Sequence, residues 1–347
     1  MKNIFSSPEI PMLLAPLAGY SDAPCRRLAC AFGADAAVTE MISAHSIIHR
    51  SKALKTLLAG FPGEKLLYVQ LFGADPDTMA QAAEMLIGRA DALDINMGCP
   101  VKKVIRQGAG SALMNTPETA GKIIKAVRRV WGGFLSVKIR LGLVPGDELY
   151  KTVIPLAADC GADMITVHGR YQKEMFSGTV HYSEIAEAVR LSSVPVTGNG
   201  DIIDFISLKK MLATGCRAVM IGRGAVGSPW IFYLLKGKTA CLELKDTEVF
   251  PHSDFAIPGL DLLYLKRNTF SLNMAALIRV AMFHYNASAD FYGEIKGLKE
   301  FRKHFARYIA GFPSLRDLRM EFFNSKTREE SLQALHKYLA VCGEYFK

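Results

Sequence analysis

The feature that most constrains the fold is a regular alternation of short apolar runs with amphipathic stretches over the first two thirds of the chain. Helix-like stretches such as 76–90 and 116–130 lie between the apolar runs. Alternation of this kind builds right-handed β-α-β units with a parallel sheet. Eight such units in about 210 residues predict a closed (β/α)₈ TIM barrel, with a doubly wound open sheet as the alternative. The predicted strands span residues 12–18, 35–40, 66–72, 92–97, 136–141, 164–168, 194–198 and 218–222.

From about residue 231 the strand-helix alternation no longer appears. An irregular stretch follows over 236–260, and the rest of the chain shows helical periodicity. We therefore expect a catalytic barrel over 1–235, a connection over 236–260 and a smaller all-helical domain over 261–347. The expected helices of that domain span 262–287, 291–310, 314–324 and 327–345.

Composition narrows the classes of protein that fit. No uncharged apolar run reaches the roughly 18 residues of a membrane span, and the amino terminus resembles no secretory signal, so we expect a cytoplasmic protein. The seven cysteines are scattered without a C-x-x-C pair, which favours neither a disulfide framework nor a metal site. A net charge of +9 favours a polyanionic partner.

Polar residues recur where the predicted strands end. In a parallel barrel the chemistry sits at the carboxyl ends of the strands, where the loops converge. Any one of these residues could cap a helix or satisfy a loop carbonyl, but nine of them at the ends of six strands predict a site. They are Gln70, Asn96, Cys99, Lys138, Arg140, His168, Asn199, Asp201 and Arg223.

Cys99 stands out among the cysteines because it lies in a predicted active-face loop, N-M-G-C-P, with Lys102 and Arg106 nearby. No histidine or acid is adjacent to act as its base, so a protease-like nucleophile is poorly supported. A thiol that donates a proton to a carbanion needs no such base.

Two glycine-rich loops close the barrel, T-G-N-G-D at 197–201 and I-G-R-G at 221–224. Residues 222–227 also match G-x-G-x-x-G, but they do not open a fold as a dinucleotide fingerprint does. We interpret this region as a phosphate-binding loop with Arg223 beside it.

Three of the residues at the strand ends have side chains that suit a flavin. Lys138 would stabilise the negative charge of a reduced flavin, and Gln70 has the donor and the acceptor that its pyrimidine edge requires. His168 could equally be a hydrogen-bonded core histidine. The set is compatible with FMN.

The segment 296–307 carries five basic residues and one acid. Lys299 and Lys303 recur at helical spacing, and Arg302 adds to the basic side. A solvated helix face is the usual explanation, but together with the basic loop after Cys99 this helix could follow a phosphate backbone and feed one base into the site.

These motifs resemble the tRNA-dihydrouridine synthases, most closely their bacterial B-type branch. The resemblance runs through nearly the whole barrel and resumes in the helical region. The matching motifs are APLAGYSDAPCRR at 15–27, VTEM, VQLFG, DINMGCPVKKV, GSALM, VKIRLG, TVHGR, NGDI, MIGRGAVGSPWIF at 220–232 and GLKEFRKHFARY at 297–308.

The resemblance implies a flavin-dependent oxidoreductase that reduces the C5–C6 double bond of uridines in tRNA. NADPH would reduce FMN, flavin N5 would pass hydride to C6, and Cys99 would protonate C5. It implies FMN contacts from Pro16, Leu17, Ala18, Gln70, Lys138, His168, Asn199, Gly200, Asp201, Gly222 and Arg223. We expect substrate contacts from Asn96, Lys102, Arg140, Lys299, Arg302 and Lys303.

Two departures and two rival functions accompany the resemblance. Tyr171 and Gln172 stand where the family usually carries threonine and often arginine, and the segment 236–270 is longer than its norm. A flavin barrel of the dihydroorotate dehydrogenase type would leave the basic helix unexplained. A tRNA-binding protein without catalysis would contain no flavin. We expect a monomer.

Overall fold

A computed structural model of the chain describes residues 9–236, 274–310 and 315–344. The chain divides into two compact units, each made of two segments. The first unit comprises Met1–Arg26 and Ala34–Arg223, and the second comprises Arg27–Gly33 and Gly224–Lys347. Apart from Lys236, the predicted connection over 236–260 lies outside the described residues, as does the longer segment 236–270.

The first unit is built on a closed barrel of eight parallel strands. Each strand pairs with the next one in sequence, and β8 pairs with β1 to close the ring. This arrangement confirms the predicted barrel and excludes the open sheet. The strands are β1 Met12–Leu14, β2 Ala36–Ser43, β3 Tyr68–Phe72, β4 Ala92–Met97, β5 Phe134–Arg140, β6 Met164–His168, β7 Val196–Asn199 and β8 Ala218–Ile221.

Nine α-helices lie within the described residues 9–223. Pro76 begins α4, and the Asp75 side chain caps it by accepting from the Thr78 N–H, but the helix ends at Glu84 and not at residue 90 as predicted. Residues 85–89 form turns instead, and Gly88 among them has a φ of +73°. The helices are α1 Ala23–Ala31, α2 Ala44–Ile48, α3 Leu54–Leu57, α4 Pro76–Glu84, α5 Lys102–Ile105, α6 Pro117–Val130, α7 Leu149–Asp159, α8 Tyr182–Leu191 and α9 Phe205–Leu212.

The barrel interior changes from apolar to polar along the strands. Side chains alternate between the two faces of a strand, so β5 directs every second residue to the interior. Phe134, at the amino end of β5, belongs to an apolar cluster with Tyr68 and Met164. Lys138 and Arg140 lie at the other end of β5. The fold therefore places its charged side chains at the carboxyl ends of the strands.

The second unit is helical around an apolar core. Aromatic rings dominate that core, with Phe301, Phe305 and Phe322 in mutual contact. No helix in the described part of the chain is long and apolar enough to cross a membrane. The helices are α10 Ile231–Leu235, α11 Met274–Tyr292, α12 Glu294–Tyr308, α13 Arg316–Asn324 and α14 Arg328–Glu344.

The break between α11 and α12 was predicted too early. The helix expected to end at residue 287 continues to Tyr292, and the part of it over 262–273 lies outside the described residues. The chain turns at Gly293, where φ is +83°, a conformation that favours glycine. Four residues later, Gly297 allows α12 to approach α11. A Cβ on Gly297 would lie 2.5 Å from Cα of Ala289 and 2.6 Å from the carbonyl oxygen of Ser288.

We expect Gly297→Ala to lower the free energy of unfolding by about 1–3 kcal/mol, because the added methyl group meets backbone that cannot move aside. Chemical denaturation followed by circular dichroism measures the change. Gly132→Ala is the matched control, since a Cβ there would meet nothing within 4 Å. Equal stability of the two variants would contradict the close approach of the helices.

Candidate active site at the carboxyl end of the barrel

The loop after β4 holds Cys99 by three sets of hydrogen bonds. Asn96 Oδ1 accepts from the backbone N–H groups of Gly98 (3.3 Å) and Cys99 (3.0 Å). The carbonyl oxygen of Cys99 accepts from Ser111 through its hydroxyl (2.8 Å) and its N–H (3.1 Å). Arg140 Nε donates to the carbonyl oxygen of Gly98 at 2.8 Å. The backbone around the thiol is therefore fixed on both sides of Cys99.

Gly110 and Ser111 are supporting residues that the sequence analysis did not assign. Gly110 has a φ of +62°, and a Cβ there would lie 2.8 Å from the carbonyl oxygen of Cys99. Only a glycine lets the chain pass this close to the cysteine loop and places Ser111 within hydrogen-bond distance. The glycine pair in Q-G-A-G-S was the available signal.

The Cys99 thiol is half-buried, and its surroundings hold its proton in place. Burial raises the thiol pKa, and this effect outweighs the backbone hydrogen bond from Val101 and the positive charges of Arg140 and Lys138, which lower it. A thiol with a raised pKa is protonated at neutral pH. Cys99 can therefore act as a proton donor.

A buried polar chain lies next to this loop, inside the barrel. Asn96 Nδ2 donates to Gln70 Oε1 at 2.8 Å, and Gln70 Nε2 donates to Asp94 Oδ2 at 2.6 Å. Ser136 Oγ donates to the other oxygen of Asp94. Burial raises the pKa of Asp94 to about 6, although these two hydrogen bonds and the charge of Lys138 oppose the shift. Asp94 and Ser136 were not predicted as site residues, although Asp94 lies within the D-I-N-M-G-C-P motif.

Lys138 and His168 supply a cation and a neutral ring. Lys138 Nζ donates to Asn199 Oδ1 at 3.1 Å, and Asn199 Nδ2 donates to the Met220 carbonyl at 2.7 Å. Burial lowers the pKa of Lys138 to about 8, with repulsion from Arg140 as the second cause. The pKa of His168 lies well below its usual value because the ring is buried and surrounded by positive charges, so the imidazole is neutral.

Three arginines hold the loop over 171–178 by its carbonyl groups. Arg140 is the last residue of β5, and Arg170 and Arg223 lie two residues after the ends of β6 and β8. Arg140, expected to contact substrate, is 2% exposed and gives each of its three nitrogens to a backbone carbonyl, which anchors this loop to the Cys99 loop. The contacts are Arg140 to Tyr171 (3.0 Å) and Met175 (2.8 Å), Arg170 to Ser177 (2.7 Å) and Gly178 (2.7 Å), and Arg223 to Phe176 (2.8 Å).

Asp201 neutralises two of these arginines. Its carboxylate pairs with Arg170 and, at 2.6 Å, with Arg223. Burial acts to raise the pKa of Asp201, but the hydrogen bonds and charges of the two arginines outweigh burial and lower it. Arg170 was missed as a site residue; its position directly after a strand, in H-G-R, was the signal. The carboxylate fixes both guanidinium groups in place.

The predicted phosphate loops lie at adjacent strand ends. A Cβ on Gly222 would lie 3.6 Å from Leu17 Cδ2, so the chain after β8 runs beside the chain after β1. Pro16 and Leu17 are half-buried there, and Ala18 is exposed. Gly200 has a φ of +139°, a conformation that favours glycine. Gly200 is buried, and a Cβ there would lie 2.8 Å from Val180 Cγ2, so the loop after β7 is closely packed at this position.

Tyr171, which departs from the family pattern, is a buried residue. Its ring meets the ring of His181 edge-on, with centroids 5.2 Å apart. His181 Nε2 in turn pairs with Glu174 Oε1 at 2.9 Å. The neighbouring Gln172 donates its N–H to the Gly142 carbonyl at 2.9 Å. Tyr171 therefore packs within the loop, beside the site.

The predicted substrate-contact residues outside this cluster differ in solvent exposure and in their side-chain partners. Lys102 in the first unit and Lys299 in the second are exposed. Arg302 donates to the Ser325 carbonyl at 3.0 Å. Lys303 pairs with Glu300 at 2.5 Å. Lys102 and Lys299 therefore present their charge to solvent more fully than the other two.

Comparison with known proteins matches the motifs of this site. The model of the dihydrouridine synthase (Dus) family matches residues 13–342. A tRNA-dihydrouridine synthase B from Serratia marcescens is 33% identical over 94% of this chain and 91% of its own length. A tRNA-dihydrouridine synthase B from Escherichia coli K12 is 32% identical, with 94% and 95% covered. The chain belongs to the dihydrouridine synthase family, in its bacterial B-type branch.

A solved structure of low identity shows the same fold. Histamine dehydrogenase from Rhizobium sp. 4-9 is 13% identical, with a TM-score of 0.50, and the match covers 65% of this chain and 45% of that chain. This likeness concerns the fold alone.

The raised pKa of Cys99 predicts slow alkylation. At pH 8 we expect iodoacetamide to modify Cys99 more slowly than a cysteine in a short peptide, because less of the thiol is ionised. The rate of modification should rise with a midpoint above pH 9.0, the ordinary value for a thiol. Lys138→Met should move the midpoint higher still, because it removes a charge that favours the thiolate. Mass spectrometry of the Cys99 peptide across pH 7–11 measures both midpoints, and one below the ordinary value would contradict burial as the dominant cause.

Proposed function

We propose that this chain is an FMN-dependent tRNA-dihydrouridine synthase that reduces the C5–C6 bond of uridines in tRNA, with NADPH as the electron source. Its family membership makes it an oxidoreductase. The observation that carries the proposal is the protonated Cys99 thiol, fixed in a loop that Asn96, Ser111 and Arg140 hold at the end of the barrel that also carries Lys138.

The residues at this end of the barrel fit FMN. The half-buried Lys138 provides a positive charge, and the Gln70 amide keeps one N–H and one lone pair beyond its hydrogen bonds with Asp94 and Asn96. The glycine loop at Gly222 and the half-exposed Arg223 beside it would receive the phosphate. Pro16, Leu17, Ala18, His168, Asn199 and Asp201 complete the proposed FMN set.

The chain's own residues then supply the proton and the orientation of the base. The FMN that these residues would hold would be the source of the hydride for C6 of the uracil. Asn96 uses its oxygen for the backbone of the Cys99 loop, and besides Gln70 the partner of Nδ2 among the described residues is the Met41 sulfur, a weak acceptor at 3.9 Å. The N–H that faces this sulfur is therefore available to a base. Cys99 donates its proton to C5, and Lys138 keeps positive charge beside the site.

Dihydrouridine mapping tests the function as a whole. Transfer RNA from cells that lack the protein should have lost dihydrouridine at one or more positions, and expression of the protein should restore it. The purified protein should be yellow. Reduction of free orotate or uracil with no effect on tRNA would contradict the proposal and favour the dihydroorotate dehydrogenase type. A colourless protein that still binds tRNA would favour a binding protein without catalysis.

Cys99→Ala should slow dihydrouridine formation by about 100- to 10,000-fold, because it removes the general acid. Flavin content and flavin reduction by NADPH should stay as in the wild type, because neither step needs the thiol. Single-turnover reduction of tRNA by the pre-reduced enzyme measures the loss. Cys160→Ala, at a buried cysteine of α7's carboxyl end, is the control. An unchanged single-turnover rate in Cys99→Ala would refute the assigned role.

The proposed tRNA contacts rest on exposed charge. Lys102 in α5 and Lys299 in α12 are exposed, and Arg302 and Lys303 lie on α12 with Lys299. Cations of this kind bind the phosphate backbone without reading sequence. We propose that Arg140 acts on substrate mainly through the loops it anchors. A cytoplasmic location and a monomeric state remain part of the proposal.

Lys299→Glu should weaken tRNA binding and lower the slope of log affinity against log salt by about 1, because one phosphate contact is lost. Flavin content should not change. Lys122→Glu makes the same charge change at an exposed position of α6 and should leave binding as it is. Filter binding at several salt concentrations distinguishes the two, and equal affinities would remove Lys299 from the tRNA surface.

A further inference from the structure

We propose that Asp94 is a positioning residue for the proton donor: its carboxylate fixes the amide groups of Gln70 and Asn96, and Asn96 holds the backbone of Cys99. This inference rests on the proposed function, in which Cys99 donates the proton. Asp94 itself lies two hydrogen-bonded side chains away from the cysteine loop.

The hydrogen bonds between Asp94 and Cys99 all run in one direction. The Cys99 N–H donates to Asn96 Oδ1 (3.0 Å), Asn96 Nδ2 to Gln70 Oε1 (2.8 Å), and Gln70 Nε2 to Asp94 Oδ2 (2.6 Å). Each donor points toward Asp94. An ionised carboxylate accepts only, so it ends the chain and determines which way each amide faces.

Reversing either amide would leave like groups facing each other. A flipped Gln70 would turn its oxygen toward the Asp94 carboxylate and its NH₂ toward the NH₂ of Asn96. A flipped Asn96 would turn its NH₂ toward the N–H groups of Gly98 and Cys99. Gln70 and Asp94 are each 1% exposed, so water cannot readily satisfy the mismatched groups. The arrangement therefore has one consistent orientation, fixed at one end by the carboxylate.

A second arm from Asp94 leads away from the cysteine. Ser136 Oγ donates to Asp94 Oδ1, and the hydroxyl of Tyr68 lies 2.5 Å from Ser136 Oγ. Ser136 and Tyr68 are fully buried, as deep in the barrel as Gln70. This arm ends on the same carboxylate and is equally buried, but its hydrogen bonds lead to Tyr68 and not to Asn96. It offers a matched control.

The test compares the two arms in the holoenzyme. Asp94→Asn keeps the shape of the side chain but gives one acceptor oxygen to two donors, Gln70 and Ser136, so the orientation of Gln70 is no longer enforced. We expect iodoacetamide to modify Cys99 about tenfold faster at pH 8, because the loop opens locally. Single-turnover reduction of tRNA should slow by about 100-fold, the scale of a small misplacement of a catalytic group.

Two controls separate positioning from general loosening. Ser136→Ala should keep the Cys99 alkylation rate within about twofold of the wild type, although it removes a buried hydrogen bond to the same carboxylate. The buried Cys160 and Cys216 report opening of the barrel as a whole, and their rates in Asp94→Asn should match the wild type. Mass spectrometry follows all three cysteines in one reaction.

The outcomes are distinct. An unchanged Cys99 rate in Asp94→Asn, a parallel rise at Cys160 and Cys216, or an equal rise in Ser136→Ala would overturn the positioning role. If Asp94→Asn does not fold, Gln70→Met breaks the same arm and should raise the Cys99 rate; no rise would also overturn the proposal. Alkylation does not depend on catalysis. A wild type that forms no dihydrouridine would therefore refute the proposed function, while the alkylation rates would still report whether Asp94 positions the cysteine loop.

Discussion

The accumulation of positive charge at one end of the barrel is the constraint on which the rest of the site depends. Lys138 and three arginines lie at or just after neighbouring strand ends, and burial and repulsion from nearby positive charges lower the pKa of Lys138 and of Arg140. Asp201 pairs with two of the arginines, and Asp94 favours the charged form of Lys138. Burial, together with these positive charges, lowers the pKa of His168 and keeps its ring neutral. The arginine N–H groups that do not pair with a carboxylate donate to backbone carbonyl oxygens.

These hydrogen bonds explain the shape of the loop over 171–178. Its carbonyl groups turn toward Arg140, Arg170 and Arg223, so the loop is folded by side chains that come from the strands. The ring of Phe176, half-exposed, lies against the guanidinium groups of Arg140 and Arg223, each 5.6 Å from the ring centroid. A loop built in this way takes its position from the rigid barrel, as precise chemistry requires.

The sequence predicted the barrel because the apolar runs and the strand ends obey local rules. The predicted limits of β4 and β6 agree with the structure to the residue, and the family motifs that place Cys99 are local in the same way. The roles of Asp94 and Arg170 depend instead on partners from other strands or the loops after them, Gln70 and Ser136 for Asp94 and Asp201 for Arg170. The break between α11 and α12 was predicted too early, because its position is set at Gly293 by a positive φ angle.

Desolvation also determines which group gives up its proton first. In water a thiol loses its proton at a lower pH than an ammonium group, so a cysteine beside a lysine tends to form a thiolate. Burial reverses that order here, because it lowers the pKa of Lys138 to about 8 and raises that of Cys99 above its ordinary value. The neutral pair is then favoured over the ion pair. The thiol therefore keeps its proton beside a cation until a more basic carbon atom is within reach.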